Sequence, residues 1–173
     1  VKDKGIEELV KVFIALHTKY PQLRLIVVGA YEAHLDPVQE ETIKIIDQHP
    51  AIIHIDWSDT VEYYMHLANF LIHPSHREGF PNVLLQAGAM KCPIVCSRIE
   101  GNVDITEHAE TGLLFEMKNE TDLLQKMEQA ILNPDKMAQY AINLRLKIEQ
   151  YYDQPVVHQF LLREYQSLIK SST

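Results

Sequence analysis

The strongest constraint on the fold is that short apolar segments alternate along this chain with longer segments of helical periodicity. Residues 23–29 form one such apolar segment, rich in β-branched residues, and it follows a helical pattern over residues 5–20. Further strands are predicted at 51–55, 70–73, 93–97 and 112–115, and further helices at 37–48, 59–68 and 81–90. Strands that alternate with helices pair in parallel through right-handed crossovers. The pattern predicts an α/β fold with a Rossmann-like, doubly wound, mostly parallel sheet flanked by helices.

The C-terminal part of the chain has a purely helical pattern from Thr121 onwards. It is interrupted at Pro134 and Pro155, each at a place where the first turn of a helix tolerates proline. Earlier in the chain, Asp59 and Glu62 have the spacing of a capping box, which predicts that Asp59 caps the helix over 59–68. No repeat or flexible linker divides the chain. One domain over residues 1–150 is therefore predicted, followed by a helical tail over residues 151–173.

Composition excludes several classes of function. The chain has 173 residues, of which 46% are hydrophobic, and this suffices for one globular domain with a buried core. Its net charge of -8 argues against a broad nucleic-acid surface, and no apolar run approaches the roughly 20 residues of a membrane helix. The chain begins Val1-Lys2-Asp3, with neither a start methionine nor a signal peptide, so we expect a piece of a longer protein.

Two cysteines, Cys92 and Cys96, flank the predicted strand segment Pro93-Ile94-Val95. Their even separation places both side chains on one face of a strand, where a disulfide between them is not feasible. Buried free thiols are therefore predicted, and with them a reducing, cytoplasmic compartment.

An acidic turn follows the strand predicted at 70–73. Glu78 precedes a glycine on this turn, and a helical pattern begins directly afterwards. A strand, a turn and a helix in this order place a carboxylate and unpaired backbone N–H groups at the carboxyl end of a sheet. Phosphorylated and sugar ligands bind at this place in open α/β folds.

The segment from Pro74 to Ala87 resembles the donor-site signature of the family-four retaining glycosyltransferases, which have the GT-B fold. That signature contains Pro-Ser, a two-residue gap, Glu-Gly-Phe and a second glutamate further along the helix. Other landmarks agree in order: Lys4-Gly5, Val28-Gly29, Cys92-Pro93-Ile94-Val95, Glu100-Gly101-Asn102 and Thr111-Gly112-Leu113-Leu114. The resemblance implies that the chain is the C-terminal, nucleotide-sugar-binding half of such an enzyme.

The same resemblance implies roles for individual residues. Glu78 would hydrogen-bond the donor sugar near its reacting face, as the catalytic residue. Lys4 would contact the diphosphate, and Gln86, which stands in place of the family's second glutamate, would contact the ribose. The other donor-site residues are Gly79, Phe80, Asn82 and Val83. The alternatives are a solvated loop carboxylate for Glu78, an exposed terminal lysine for Lys4 and a helix-surface residue for Gln86.

The helix after this turn supplies a physical reason for diphosphate binding. Its first N–H groups and the positive end of its dipole can stabilise the charge of a diphosphate without a metal, so no cofactor is expected. Pro81 lacks an N–H group, so Asn82 and Val83 would be the donors. Gln86 accepts only neutral hydrogen bonds, worth about 0.5–1.5 kcal/mol against about 1.5–3 kcal/mol for a charged acceptor. Weaker nucleotide binding than in the family is therefore expected.

Other residues near the turn have less specific interpretations. His73 and His76 have the spacing of a metal pair but lack a third ligand, so hydrogen bonding within the loop is favoured over a metal site. Arg77 adds positive potential near a phosphate. Trp57 could stack on the nucleobase, although packing at the domain edge is the plainer account. The Ser75 hydroxyl is expected to bond to the loop backbone.

These observations predict the donor-binding half of an enzyme that transfers a hexosyl unit from a nucleotide-diphospho-sugar, with UDP favoured. The acceptor would be a glycan or a lipid-linked sugar of surface polysaccharide or lipopolysaccharide synthesis. An N-terminal half would bind that acceptor, the tail over 151–173 would cross to it, and the complete enzyme would be cytoplasmic or peripheral at the inner membrane face. The resemblance also implies a strand before Lys4, so either the sheet lacks a strand or the fragment associates with itself. The alternatives are a non-catalytic nucleotide-sugar-binding or interaction module and, less well matched, half of a nucleotide-sugar epimerase.

Overall fold

A computed structural model describes residues 1–32 and 36–171, with side chains as far as Ile169. The strands are β1 (Leu25–Val28), β2 (Ile52–Ile55), β3 (Leu71–His73), β4 (Ile94–Ser97) and β5 (Leu113–Phe115). A 3-10 turn (Lys2–Lys4) precedes α1 (Ile6–Lys19), and the other helices are α2 (Glu40–Gln48), α3 (Val61–Leu67), α4 (Asn82–Ala89), α5 (Asn102–Ile105), α6 (Glu120–Leu132), α7 (Pro134–Tyr151) and α8 (Gln154–Ser171). The predicted order of strands and helices is confirmed, and α5 is an addition to it.

The start of α3 differs from the prediction. The helix begins at Val61 with Thr60 as its N-cap, and no side chain caps it. The Asp59 carboxylate instead accepts a hydrogen bond of 3.1 Å from the Trp57 indole nitrogen. The predicted capping box is therefore wrong, because the proposed capping side chain has a different partner.

All strand pairs are parallel, but the described strands form two sheets. One contains β1 and β2, and the other has the order β3-β4-β5. In the register, Leu25 pairs with Ile52, Leu71 with Ile94, and Val95 with Leu113. Periodicity correctly predicted parallel pairing. The division of the strands into two sheets is seen only in the three-dimensional structure.

Helices cover both faces of the three-stranded sheet, as the doubly wound prediction requires. On one face, Val95 and Leu113 belong to a core that also contains buried residues of α1, α6, β1 and β2. On the other face, Ile94, Cys96 and Leu114 pack in a second core with α4 and α7. Because successive strand residues point to opposite faces, β4 contributes to both cores and is buried along its whole length. The carboxyl ends of β3, β4 and β5 are thereby held at one common edge.

Both cysteines are buried free thiols, as predicted. Burial raises the pKa of the Cys92 thiol to about 11 and that of Cys96 to about 12, so both are protonated at neutral pH. Their placement on a single strand is wrong for Cys92, which precedes β4. The chain nevertheless returns it to the same core as Cys96.

The C-terminal part of the chain consists of the helices α6, α7 and α8, as its periodicity predicts. Pro134 occupies the first turn of α7, and α8 starts at Gln154. The side chains of α8 are exposed as far as they are described, including the apolar residues Val156, Val157, Phe160, Leu161, Leu162, Tyr165, Leu168 and Ile169. The last two residues of the predicted tail lie outside the described part. Within that part, no helix combines the length and the apolar character needed to cross a membrane.

Candidate functional site

The loop between β3 and α4, residues 74–81, lies at the carboxyl edge of the three-stranded sheet. Its inner end is fixed by hydroxyl groups, because the buried Ser97 side chain donates a hydrogen bond to the Ser75 carbonyl. The Ser75 hydroxyl lies 3.1 Å from the Arg77 carbonyl and 3.3 Å from the Asp3 carbonyl, and it can donate to one of them at a time. As expected, this hydroxyl serves the loop backbone.

The first turn of the chain packs directly on this loop. The His76 amide donates a hydrogen bond of 2.7 Å to the Asp3 carbonyl. Gly5 follows with a φ of 68°, and a Cβ at that position would lie 2.1 Å from the Pro74 carbonyl oxygen. Only glycine therefore allows the turn to approach the loop so closely. This approach places Lys4 next to the acidic end of the loop.

Lys4 and Glu78 form an ion pair. The Lys4 Nζ and the Glu78 Oε1 are 2.6 Å apart, and the lysine side chain is 53% exposed against 14% for the glutamate. Burial by itself raises the pKa of the Glu78 carboxyl, but the hydrogen bond from Lys4 and the positive charge of Lys4 oppose it and the net shift is downward. Glu78 is therefore ionised at neutral pH, and the interpretation of a freely solvated loop carboxylate does not fit its burial.

His73, the last residue of β3, faces the same carboxylate. Its Nε2 lies 3.2 Å from the Glu78 Oε1, and its side chain is only 13% exposed. The Nε2 is buried and has no well-aligned hydrogen bond within the described structure. Burial lowers the pKa of the imidazole, Glu78 opposes that effect, and Lys4 adds to it. Sequence reasoning favoured hydrogen bonding within the loop over a metal site for this histidine, but it did not identify Glu78 as its neighbour.

The first turn of α4 presents backbone donors next to the loop. Pro81 is the N-cap, and Asn82 and Val83 are the first two helical residues. Amides at the start of a helix have no partner within it, and in the described structure these two donate to no other protein group. Leu84 is fully buried and anchors the helix, while Gly79 and Phe80 are exposed.

Gln86 lies one helical turn after Asn82 on an exposed face of α4. Its side chain makes no hydrogen bond to another described residue. The structure thus pairs Lys4 with Glu78 and places Gln86 further along the adjoining helix.

The remaining predicted residues lie around the site without joining it. His76 Nε2 is 3.0 Å from a Glu8 carboxylate oxygen, and Arg77 is 3.5 Å from the Asp3 carboxylate. Trp57 is 77% exposed, so packing at the domain edge does not describe it. Across the described residues, no group of three potential metal ligands is close enough to hold an ion.

Neither of two shallow depressions in the described surface adjoins Glu78. One of about 330 Å³ lies beside His49 and Pro50, and one of about 380 Å³ lies along α7 beside Asn143 and Lys147.

Comparisons with known proteins bear on the family and the fold. A family model described as "Glycosyl transferases group 1" matches residues 1–147. The capsular polysaccharide biosynthesis glycosyltransferase CapM of Staphylococcus aureus is 28% identical over 173 residues, which cover 99% of this chain and 45% of CapM. The chain spans less than half the length of this curated relative.

Solved structures show the same fold. The C-terminal domain of LpcC, a glycosyl transferase group 1 family protein from Francisella tularensis, matches with a TM-score of 0.79 and 24% identity, covering 89% of this chain and 82% of that one. Anabaena HepE in complex with UDP matches with a TM-score of 0.86 and 22% identity, covering 96% of this chain and 46% of that one. A HepE structure with UDP-glucose matches as well. The predicted fold, that of the C-terminal half of a GT-B enzyme, is confirmed.

Proposed function

The chain belongs to the glycosyl transferases group 1 family, and from that premise we propose that it is the part of a retaining glycosyltransferase that binds a nucleotide-diphospho-sugar. Glu78 positions the sugar and is the catalytic residue. Lys4 and the amides of Asn82 and Val83 hold the diphosphate, and Gln86 contacts the ribose.

The observation that carries the proposal is the joint placement of Lys4, Glu78 and the start of α4. A cation and a carboxylate 2.6 Å apart lie at the loop that leads into α4, and the first two amides of α4 have no partner among the described residues. A diphosphate is recognised by the cation and the amides, and sugar hydroxyls by the carboxylate. The charge that develops on the leaving diphosphate is then stabilised by these groups, so that no metal cofactor is required.

A uridine nucleotide is the best-supported donor. HepE, which has the same fold, was solved with UDP and with UDP-glucose. Relatives are described as a capsular polysaccharide enzyme and as an N-acetylgalactosaminyltransferase acting on a diphospho-undecaprenol sugar. On this basis we assign transfer of a hexosyl unit to a glycan or lipid-linked acceptor of surface polysaccharide synthesis, on the cytoplasmic side of the membrane.

The acceptor is assigned to a second domain. The carboxyl edge of the sheet at Glu78 provides one wall of a site, and a facing domain would provide the other. The exposed apolar residues of α8 fit a helix that crosses to that domain. Without it, we expect the present chain to bind donors but not to transfer sugar.

Calorimetric titration tests the proposal. We expect UDP and UDP-glucose to bind the chain saturably, and ADP to bind more weakly. Failure of every nucleoside diphosphate to bind refutes the proposal. If a complete protein binds the donor but never releases UDP from it, the alternative of a non-catalytic binding module is supported. The presence of Gln86 in place of a glutamate favours that alternative.

The Gln86→Glu variant tests the contact with ribose. Restoring a carboxylate replaces neutral hydrogen bonds by charge-assisted ones, so we expect UDP affinity to rise by about 3- to 10-fold. Gln139→Glu, an amide-to-acid change on α7, is the matched control and leaves UDP affinity unaltered. Equal UDP dissociation constants for Gln86→Glu and the original chain identify Gln86 as a plain surface residue.

A further inference from the structure

His73 is a buried group at the candidate site that the proposed chemistry does not use. It ends β3 and therefore lies on a rigid element, whereas Glu78 lies on the following loop. Its Nε2 lies 3.2 Å from Oε1 of Glu78, the same oxygen that Lys4 Nζ contacts at 2.6 Å. One carboxylate oxygen thus lies close to two nitrogens, of which Lys4 Nζ donates a hydrogen bond to it and the imidazole Nε2 has no well-aligned hydrogen bond within the described structure.

The two donors differ in how they are held. The Lys4 side chain is 53% exposed and flexible, while the His73 side chain is 13% exposed and emerges from a strand. A diphosphate that arrives at the start of α4 competes with Glu78 for the lysine. The buried His73 imidazole cannot move away from the Glu78 carboxylate in the same way.

We propose that His73 is a positioning residue for Glu78. When the diphosphate of a nucleotide-sugar draws Lys4 away, the His73 Nε2–H becomes the hydrogen-bond donor that keeps the Glu78 carboxylate directed at the sugar. This inference rests on the function proposed above, because it assigns Lys4 to the diphosphate and Glu78 to the sugar.

Electrostatics at the site agree with this exchange. The charged groups facing the imidazole are Glu78 from the loop and Lys4 from the first turn. On the neighbouring strand, its register partner is Cys96, a thiol that stays neutral because burial raises its pKa to about 12. Lys4 lowers the pKa of His73 and Glu78 raises it. Loss of the lysine contact therefore raises the pKa of His73 and strengthens the attraction between its ring and the carboxylate.

A ring titration by NMR tests this pairing without any ligand. In the Lys4→Met variant, we expect the pKa of His73 to lie above its value in the original chain, because a repelling cation has gone and the carboxylate remains. The same upward shift is expected in the original chain on saturation with UDP. If neither the Lys4→Met substitution nor saturation with UDP changes the pKa of His73, the inference is overturned.

Binding measurements test the positioning role. We expect His73→Phe to weaken UDP-glucose binding by about 10-fold or more, with UDP binding unaltered. His73→Gln, which keeps an N–H donor, should recover most of the loss. His76→Gln on the same loop is the matched control, since His76 pairs with Glu8 instead.

The outcomes separate the two proposals. If the original chain binds neither UDP nor UDP-glucose, the proposed function fails. If it binds both, and His73→Phe weakens them equally or not at all, the donor site stands and the role of His73 is refuted. Failure of His73→Gln to recover affinity, with both variants folded by circular dichroism, also refutes it.

Discussion

The Glu78→Ala variant is expected to bind UDP at least as tightly as the original chain while losing most of its affinity for UDP-glucose. Hydrogen bonds from sugar hydroxyls to a carboxylate are charge-assisted and worth about 1.5–3 kcal/mol, which corresponds to about 10- to 150-fold in affinity. The diphosphate contact does not suffer, because removal of Glu78 releases Lys4 from its 2.6 Å ion pair. Calorimetry with UDP and UDP-glucose on both proteins measures the difference.

Glu116→Ala is the control for this change. It removes one negative charge from the segment that directly follows β5, but its partner is Arg98 at 2.8 Å rather than Lys4. We expect both dissociation constants of this control to match those of the original chain. If Glu78→Ala weakens the binding of UDP and of UDP-glucose to the same extent, a sugar-specific role is contradicted. Equal weakening would indicate that the loop has collapsed.

The Gly5→Ala variant is expected to lose much of the stability of the domain. The added Cβ would lie 2.1 Å from the Pro74 carbonyl oxygen, and the residue has a φ of 68°. The left-handed conformation alone costs about 1–2 kcal/mol for a residue with a Cβ, and the overlap with a backbone atom forces a further shift. We expect the free energy of unfolding to fall by about 3–5 kcal/mol, as measured by urea denaturation.

Gly79→Ala supplies the comparison for this effect. A Cβ there would meet no atom within 4 Å, and the backbone does not require glycine. Its free energy of unfolding should stay within about 0.5 kcal/mol of the original. If Gly5→Ala is as stable as Gly79→Ala, the close packing of the first turn on the loop is not a feature of this protein in solution.

Local sequence patterns predicted the strands and helices well because each depends on neighbouring residues. The acidic turn at Glu78 was placed correctly between β3 and α4 for the same reason. Apart from the short helix α5, which was not predicted, the errors lie at the ends of helices, where a few residues determine the boundary. The helix predicted from residue 37 begins at Glu40, and Asp59 bonds to Trp57 instead of capping α3.

The partners of Glu78 were not predictable in this way. Lys4 lies 74 residues before it in the chain, and only the packing of the first turn against the loop after β3 joins them. His73 is five residues away in sequence, yet its position on a strand gave no sign that its ring turns towards the loop. The division into two sheets is likewise a matter of which strands lie side by side.

The order of apolar and polar residues was enough to specify parallel strands, covering helices and an acid at the carboxyl edge, because these follow from periodicity and chain direction. Only the tertiary structure brings one oxygen of the Glu78 carboxylate close to both Lys4 and His73. The physical reason is distance along the chain: side chains far apart in sequence interact only after a core has formed that brings their backbones together.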